Sequence, residues 1–209
     1  MSNRGINATI MIQSFKDMVP VVDPSSYVHP MASIIGHVTI GAKCFIGAGA
    51  VLRGDWGEIT IEDGCNVQEN VVIHMFPGKK VHLESGSHIG HGAMIHGATI
   101  GHQCMIGMNA VLLDDVKLGA ESIVGALSLI KAQTEWPLRS LIVGNPGKRI
   151  GDVSDKMIAH KIEGTALYQQ LPDDMRAHAI EVSALEEIPQ QRVADFPVFE
   201  TWQNRRTKA

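Results

Sequence analysis

Aliphatic residues recur every six positions through the middle of the chain, and this period limits the possible folds more than any other feature. The step is six within four groups, and nine, ten and five residues separate successive groups. Neither an α-helix nor an ordinary alternating strand has this period. Three such hexads, each a short strand and a corner, would close one triangular coil of about 18 residues. The aliphatic positions are Ile40, Ile46, Leu52, Ile61, Val67, Ile73, Leu83, Ile89, Ile95, Ile100, Ile106, Leu112, Leu118, Val124 and Ile130.

Small or β-branched residues recur at a second inward position, four places after many of the aliphatic ones. Cys44, Cys65 and Cys104 all fall there, and they show no Cys-x-x-Cys spacing. Glycine often follows the aliphatic residue and supplies the backbone angles that a corner requires. Because aromatic residues make up only 5% of the chain, we expect aliphatic and small side chains to fill the core. The cysteines are therefore predicted to be buried structural thiols.

The sustained hexad resembles that of the hexapeptide-repeat family, whose fold is a left-handed parallel β-helix. The hand follows from the resemblance alone, since general chirality rules favour right-handed crossovers. The repeat covers about half the chain, from about Tyr27 to Ile130. The predicted fold class is mainly β, a left-handed parallel β-helix with C-terminal α-helices. Residues 1–150 would form the β-helix with its lead-in and terminal turn, and 151–209 a helical extension.

The region after the repeat is predicted to turn and then become helical. "VGNPGKRI" (143–150) is typical of a turn, and Ser154 or Asp152 could cap a helix over 155–171. Pro172 is expected to end that helix, and a second helix is predicted from Asp174 to Ile188. Both should pack along the outside of the coils. The predicted apolar stripe of the first helix is Ile158, Ile162, Leu167 and Leu171.

Charge and hydropathy exclude several classes of function. The net charge is −4, and no Lys/Arg-rich run suggests nucleic acid or an anionic membrane. No apolar stretch approaches 18 residues, and the first residues lack the apolar region of a signal peptide. We therefore expect a cytoplasmic protein with neither a membrane nor a nucleic acid as partner.

Five histidines lie between residues 74 and 96. The hexad count places them at different positions around the coil. Arg53, His74 and His96 fall in one column, with the two histidines one coil apart. His91 falls at a neighbouring corner, too far away on one chain for a shared shell of Zn–N bonds of about 2.0–2.1 Å. A site with all three histidines thus needs a second chain, and three such contacts would close a homotrimer. The histidines predicted not to bind metal are His82, His88 and His102.

Three neutral imidazoles leave one coordination position open, which is the pattern of a catalytic zinc. Such a zinc lowers the pKa of its water to about 7, and Fe²⁺ or Co²⁺ could occupy the same site. Gln68 and Glu69 fall one coil below His91 and are predicted to face the metal. Gln68 could orient a bound water or an oxyanion, and Glu69 could carry protons. Arg53 and Asp55 are interpreted mainly as an ion pair that fixes the corner.

A narrower resemblance rests on "RGDWGEITIEDGCNVQENVVIH" (53–74) followed by "HGAMIH" (91–96), which is similar to the γ-class carbonic anhydrases. It implies a zinc between subunits of a trimer, with CO2 hydration as the reaction. Within that family, "HMFPGKK" and "KIEGTALYQQL" resemble the branch of phenylacetic acid degradation and carnitine operon proteins, so acyl-CoA thioester hydrolysis is the close alternative. The resemblance assigns the metal to His74, His91 and His96, an interface ion pair to Arg53 and Asp55, and water positioning to Gln68 with Asn66.

The loop after His74 departs from the γ-class pattern, because it carries no carboxylate to shuttle protons. Glu58 and Glu69 remain as possible substitutes, so only a modest rate of CO2 hydration is expected. The loop instead carries Lys79 and Lys80, which could attract the phosphates of coenzyme A. Two further alternatives stay open: a hexapeptide acyltransferase, which needs a single histidine base, and a catalytically inactive trimeric scaffold.

Overall fold

The computed structural model describes residues 11–193 and 196–207. Twenty short strands precede two helices, α1 (Asp155–His178) and α2 (Trp202–Thr207). The strands are β1 (Met11–Gln13), β2 (Val21–Val22), β3 (Tyr27–Val28), β4 (Ser33–Ile40), β5 (Phe45–Ile46), β6 (Val51–Ile61), β7 (Asn66–Val67), β8 (Val72–His74), β9 (Lys80–Leu83), β10 (His88–Ile89), β11 (Met94–His96), β12 (Thr99–Ile100), β13 (Met105–Ile106), β14 (Val111–Leu112), β15 (Lys117–Leu118), β16 (Ile123–Val124), β17 (Leu129–Ile130), β18 (Glu135–Trp136), β19 (Ser140–Val143) and β20 (Lys148–Asp152).

The strands stack in parallel on three faces of a prism. One face contains β8, β11, β14 and β17, the next contains β9, β12, β15 and β18, and the third runs from β3 to β19. The longer strands β4 and β6 turn a corner and contribute to the first two faces, with a register shift between Gly36 and Val38. Among the strands of the described residues, only β20 is antiparallel, and it pairs with β19 at the end of the prism. The predicted fold class, a parallel β-helix of hexapeptide repeats followed by helix, is confirmed.

The core is the interior of the prism. Residues of the predicted hexads pair in register from coil to coil, as Ile73 does with Ile95 and Ile95 with Leu112, and these side chains are fully buried. All three cysteines are buried free thiols, as predicted. The predicted end of the repeat at Ile130 is wrong, because Trp136 and Ile142 continue the step of six through two further hexads. The glycines that mark earlier hexads do not follow these two residues directly.

Tight corners join the faces, and the one after β10 carries His91. The next residue, Gly92, has a φ of +70°, and a Cβ there would clash with the side chain of Asn109 on the following coil. Glycine adopts this φ without strain, and the corresponding corner residues of the neighbouring coils, Asn70 and Asn109, also have a positive φ. The corner places His91 at its outer edge, with its backbone carbonyl bonded to the N–H of Asn109 (2.9 Å).

Helix α1 begins where the sequence predicts and ends later. Ser154 caps it by accepting the N–H of Met157 (3.3 Å). The predicted end at Pro172 is wrong, since the helix continues through this buried proline to His178. Packing explains the difference: one turn further on, Arg176 donates to the carbonyls of Ser25 and Ser26 (3.0 and 3.2 Å).

The predicted second helix over 174–188 is also wrong, because residues 179–193 form neither helix nor strand. Their side chains are exposed, Ile180 and Ile188 by 76% and 83%. Short helices are marginal in water without tertiary packing, so this segment lacks the burial that would stabilise a helix. Within the described part of the chain, no helix is long and apolar enough to cross a membrane.

One face of α1 packs along the coils from the last toward the first. Ile158 is buried as predicted, but Ile162 is 43% exposed, and Lys161 and Thr165 are buried instead. The Lys161 ammonium donates to the carbonyl of Gly86 and to Oε1 of Gln103. Burial lowers the pKa of Lys161 to about 8. The helix is therefore attached by polar side chains as well as by an apolar stripe.

Candidate functional site

His74 and His96 form a vertical pair on adjacent coils. They end β8 and β11, they are register partners, and their ring centroids lie 5.4 Å apart. The predicted one-coil register is confirmed. The ring of Phe76 packs edge-on against His96 at 4.9 Å, and Trp56 lies 5.2 Å from His74. Aromatic side chains thus flank the pair on the outer surface of the prism.

Both ring nitrogens of His74 have polar partners. Nδ1 lies 3.2 Å from Nη2 of Arg53, and Nε2 lies 3.1 Å from Oδ1 of Asp55. A guanidinium can only donate, so Nδ1 accepts from Arg53 and the Nε2–H donates to Asp55. Burial lowers the pKa of His74, which favours this neutral form. Arg53 and Asp55 form the predicted ion pair (2.7 Å) within one chain.

His96 and His91 each use one ring nitrogen and keep the other available. Nδ1 of His96 lies 2.7 Å from Oδ1 of Asp114, and Nδ1 of His91 lies 2.7 Å from Oε2 of Glu69. Metal-binding histidines typically donate their second ring N–H to a carboxylate in this way. These two residues therefore fit a metal through Nε2, whereas His74 would first have to release Arg53 or Asp55.

His91 lies at the opposite end of the face from His96. The chain takes five residue steps from one to the other, which span at most about 16 Å at 3.3 Å per step. Within residues 11–193 and 196–207, no three His, Cys, Asp or Glu side chains of one chain are grouped to hold a metal. The three histidines could therefore meet in one shell only if two chains contribute.

Gln68 and Asn66 form a buried amide pair below His91. Gln68 is 2% exposed and Asn66 is fully buried. Oε1 of Gln68 accepts the backbone N–H of His91 (3.2 Å), while Nε2 donates to Oδ1 of Asn66 (3.0 Å) and lies 2.8 Å from Nε2 of His88. The predicted position of Gln68 and Glu69, one coil below His91, is confirmed. Both N–H groups of the Gln68 amide are engaged within the chain.

A cavity of about 350 Å³ opens beside this amide pair. Tyr168 of α1 forms one wall and meets His88 edge to face at 5.2 Å. Most of the other lining is apolar. The residues that matter for the site are Gln68, His88, His91, Met105, Met108 and Tyr168.

The remaining predicted positions lie away from these groups. His82 pairs with Glu62 (2.8 Å), and His102 lies 2.9 Å from the hydroxyl of Ser85. Lys79, considered as a contact for coenzyme A, is held by both carboxylate oxygens of Asp115 at 2.9 Å. It lines a separate groove of about 490 Å³ together with Lys80 and Glu58.

Sequence reasoning missed three residues of this region. His88 is the register partner of Asn66, so the hexad count could have revealed its contact with the amide pair. Asp114 lies one coil beyond His96 and could have been found by the same count. Tyr168 could not, since the repeat carries no information on how α1 docks.

Comparisons with known proteins agree with this architecture. A family model described as "Bacterial transferase hexapeptide (six repeats)" matches residues 97–132, and "Hexapeptide repeat of succinyl-transferase" matches 37–74. In solved structures, a hexapeptide transferase family protein from Anaplasma phagocytophilum is 27% identical with a TM-score of 0.76, covering 81% of this chain and 98% of that one. A Bacillus cereus protein is 26% identical with a TM-score of 0.78, covering 80% and 97%.

Curated relatives extend the match over most of the chain. The carnitine operon protein CaiE of Proteus sp. (strain LE138) is 39% identical over 174 residues, which is 83% of this chain and 88% of the relative. CaiE of Escherichia coli (strain K12) is 36% identical over 179 residues, covering 86% and 91%. The chain therefore belongs to the hexapeptide-repeat family and, within it, to the group of the carnitine operon protein CaiE.

Proposed function

We propose that the chain is a metal-dependent enzyme that hydrates CO2 at a site shared between subunits of a homotrimer. The observation that carries this proposal is the arrangement of three histidines at two ends of one face. His74 and His96 stand 5.4 Å apart by ring centroid, and His91 projects from the far corner with Nε2 available. They would hold Zn²⁺, with Fe²⁺ or Co²⁺ as possible substitutes.

The chemistry divides between the metal and the surrounding side chains. A zinc held by three neutral imidazoles supplies an acidic water, with a pKa near 7. Gln68, fixed by Asn66, would orient that water through its amide oxygen. Glu69 is 40% exposed at its side chain and touches His91, so it would both orient that imidazole and pass protons to solvent. Arg53 and Asp55 would orient His74.

Acyl-CoA thioester hydrolysis is the second candidate, and one observation favours it. The cavity of about 350 Å³ beside Gln68 is lined by Met105, Met108 and Tyr168, more apolar surface than CO2 needs. The resemblance to phenylacetic acid degradation and carnitine operon proteins is what brings an acyl-CoA substrate into consideration. One observation argues against thioester hydrolysis. The ammonium of Lys79 is paired with Asp115, which makes it less suited to bind the phosphates of coenzyme A.

An acyltransferase or an inactive scaffold is compatible with the relatives of the hexapeptide transferase type. An acyltransferase would need one histidine base and no metal. The discriminating measurement is therefore the metal content of the purified protein, taken together with its mass in solution.

The function is tested by two assays on the wild type, Gln68→Ala and a His102→Ala control. Stopped-flow CO2 hydration and thiol release from aryl- and alkyl-CoA would be followed with zinc content measured in parallel. We expect hydration that falls on the order of 10²-fold in Gln68→Ala at unchanged zinc, with the control like wild type. Thiol release without hydration would reverse the order of the two candidates. Zinc binding with neither activity would favour the scaffold.

A further inference from the structure

The imidazole of His88 contacts both residues of the amide pair, although His88 was not expected to belong to the site. Its Nε2 lies 2.8 Å from Nε2 of Gln68, and its Nδ1 lies 3.3 Å from Nδ2 of Asn66. Tyr168 meets its ring at 90°. The imidazole is thus held between the third face of the prism and α1.

The orientation of the Gln68 amide is determined by its partners. The backbone N–H of His91 can only donate, so the group that it meets at 3.2 Å is the oxygen of Gln68. The amide nitrogen then points toward Asn66 and His88. With two N–H groups, it donates one to Oδ1 of Asn66 and has one left for the imidazole.

His88 can accept that second N–H because it is neutral. Burial lowers its pKa to about 3, and the positive charges of Lys161 and His91 act in the same direction. A neutral imidazole has one acceptor nitrogen. The contact with Gln68 is the shorter of the two (2.8 against 3.3 Å), so Nε2 is the acceptor and Nδ1 carries the proton. The approach of Nδ1 to the Asn66 amide nitrogen is then a contact between two donors and not a hydrogen bond.

We propose that His88 is a positioning residue that holds the Gln68 amide with its nitrogen turned inward and its oxygen turned toward His91. The proposal rests on the proposed function, since the orientation matters only if Gln68 acts at that site. It also deepens it. Both N–H groups of Gln68 are engaged, so the residue offers the site only an acceptor, the second lone pair of Oε1. Gln68 would then accept a hydrogen bond from an attacking water and so orient it. It would not stabilise an oxyanion, which needs a donor.

The same contacts indicate what happens without His88. One N–H of an almost fully buried amide would lose its partner, and the group could turn to seek another. The oxygen would then leave its position below His91. His88→Leu removes the acceptor, whereas His88→Gln can supply one through its side-chain oxygen. His82→Leu is the matched control, because His82 pairs with Glu62 on another face.

The first test uses the unmodified protein and needs no activity. The ¹⁵N chemical shifts of the His88 ring should identify Nδ1 as protonated and Nε2 as unprotonated. The side-chain amide signals of Gln68, assigned by comparison with Gln68→Ala, should exchange slowly with solvent. Protection should be lost in His88→Leu and kept in His88→Gln and His82→Leu. A protonated Nε2, or Gln68 signals unchanged in His88→Leu, would overturn the proposal.

The second test separates this inference from the proposed function. We expect His88→Leu to keep its zinc and its KM while kcat falls about 10-fold, with partial recovery in His88→Gln. If Gln68→Ala lowers kcat strongly and His88→Leu does not, His88 has no positioning role and the proposed function stands. If Gln68→Ala has no effect on any activity, the catalytic role of Gln68 fails, whatever the NMR result.

Discussion

The three proposed ligands have different local environments, and these determine what each contributes. His96 and His91 each have a carboxylate on Nδ1 at 2.7 Å and a free Nε2. His74 is 8% exposed and engaged on both nitrogens. Two ligands are therefore oriented in advance, and the third must exchange a partner for the metal.

Single substitutions should distinguish the ligands from the other histidines. His74→Ala, His91→Ala and His96→Ala should each lose zinc, because three imidazoles are the smallest shell of the proposed site. His82→Ala and His102→Ala should retain it, since their contacts with Glu62 and Ser85 are local. Zinc per chain, measured by elemental analysis after dialysis, decides this. Loss of metal on changing His102 alone would show that the ligand assignment is wrong.

For single residues, counting hexads predicts which positions lie above one another on adjacent coils. It says little about which side chains they contact. The count gave the register of His74 with His96 and of Gln68 below His91, because stacking repeats with the coil. It excluded His88 as a ligand yet did not reveal the contact with Gln68. That contact depends on side-chain rotamers and on Tyr168, neither of which the period encodes.

Among the elements, α1 differs most from its prediction. Its N-cap is a local signal, and the observed cap, Ser154, is one of the two that the sequence offered. Its end is set by contacts with coils far away in sequence, such as Arg176 with Ser26, and propensity at Pro172 could not foresee them. The exposed Ile162 and the buried Lys161 likewise follow from docking geometry.

Lys161 should give the stability of the protein a distinct pH dependence. Burial lowers its pKa from 10.5 to about 8 in the folded chain. Between these values the unfolded chain keeps a proton that the folded chain has released, so stability rises with pH. Below about pH 8 both forms are charged and the contribution is constant. The rise should approach about 1.4 kcal/mol per pH unit.

The measurement is the difference in unfolding free energy between wild type and Lys161→Met, from denaturant titrations between about pH 7 and pH 10. The difference cancels other groups, including the thiol of Cys104, whose pKa burial raises to about 12. The exposed Lys156→Met should keep the wild-type slope. A pH-independent difference for Lys161→Met would contradict the prediction.

For the whole molecule, the separation of His91 from His96 along one face has a consequence for mixed assemblies. Each proposed site takes His91 from one chain and His74 with His96 from the next. Co-expression of His91→Ala with His74→Ala chains should restore about a quarter of the sites, because one of four neighbour combinations is intact in a randomly assembled trimer. Zinc per chain in the purified mixture measures the recovery.

The matched control is a mixture of His74→Ala with His96→Ala. Both residues come from the same chain, so no neighbour combination is intact and no zinc should return. Equal recovery in the two mixtures, or a monomer that holds stoichiometric zinc by light scattering, would exclude the shared site.

The overall architecture was the most predictable feature, since a period of six leaves few alternatives and each coil repeats it. The extent of the repeat was less predictable, because Trp136 and Ile142 add two hexads that the glycine pattern does not mark. The second helix was predicted from Asp174 to Ile188 on local pattern alone, and beyond His178 the side chains of this segment are exposed.

The attachment of α1 also changes how the molecule should fold. A solenoid in which each coil touches only its neighbours behaves as a one-dimensional array that can fray from either end. Here Lys161 bonds to Gly86 and Arg176 to Ser26, contacts between residues 75 and 150 positions apart. Helix α1 connects separate coils of the array, so the first coil cannot open without breaking its contacts with α1. Such high contact order slows folding, and it makes the ends of the prism open as one cooperative unit.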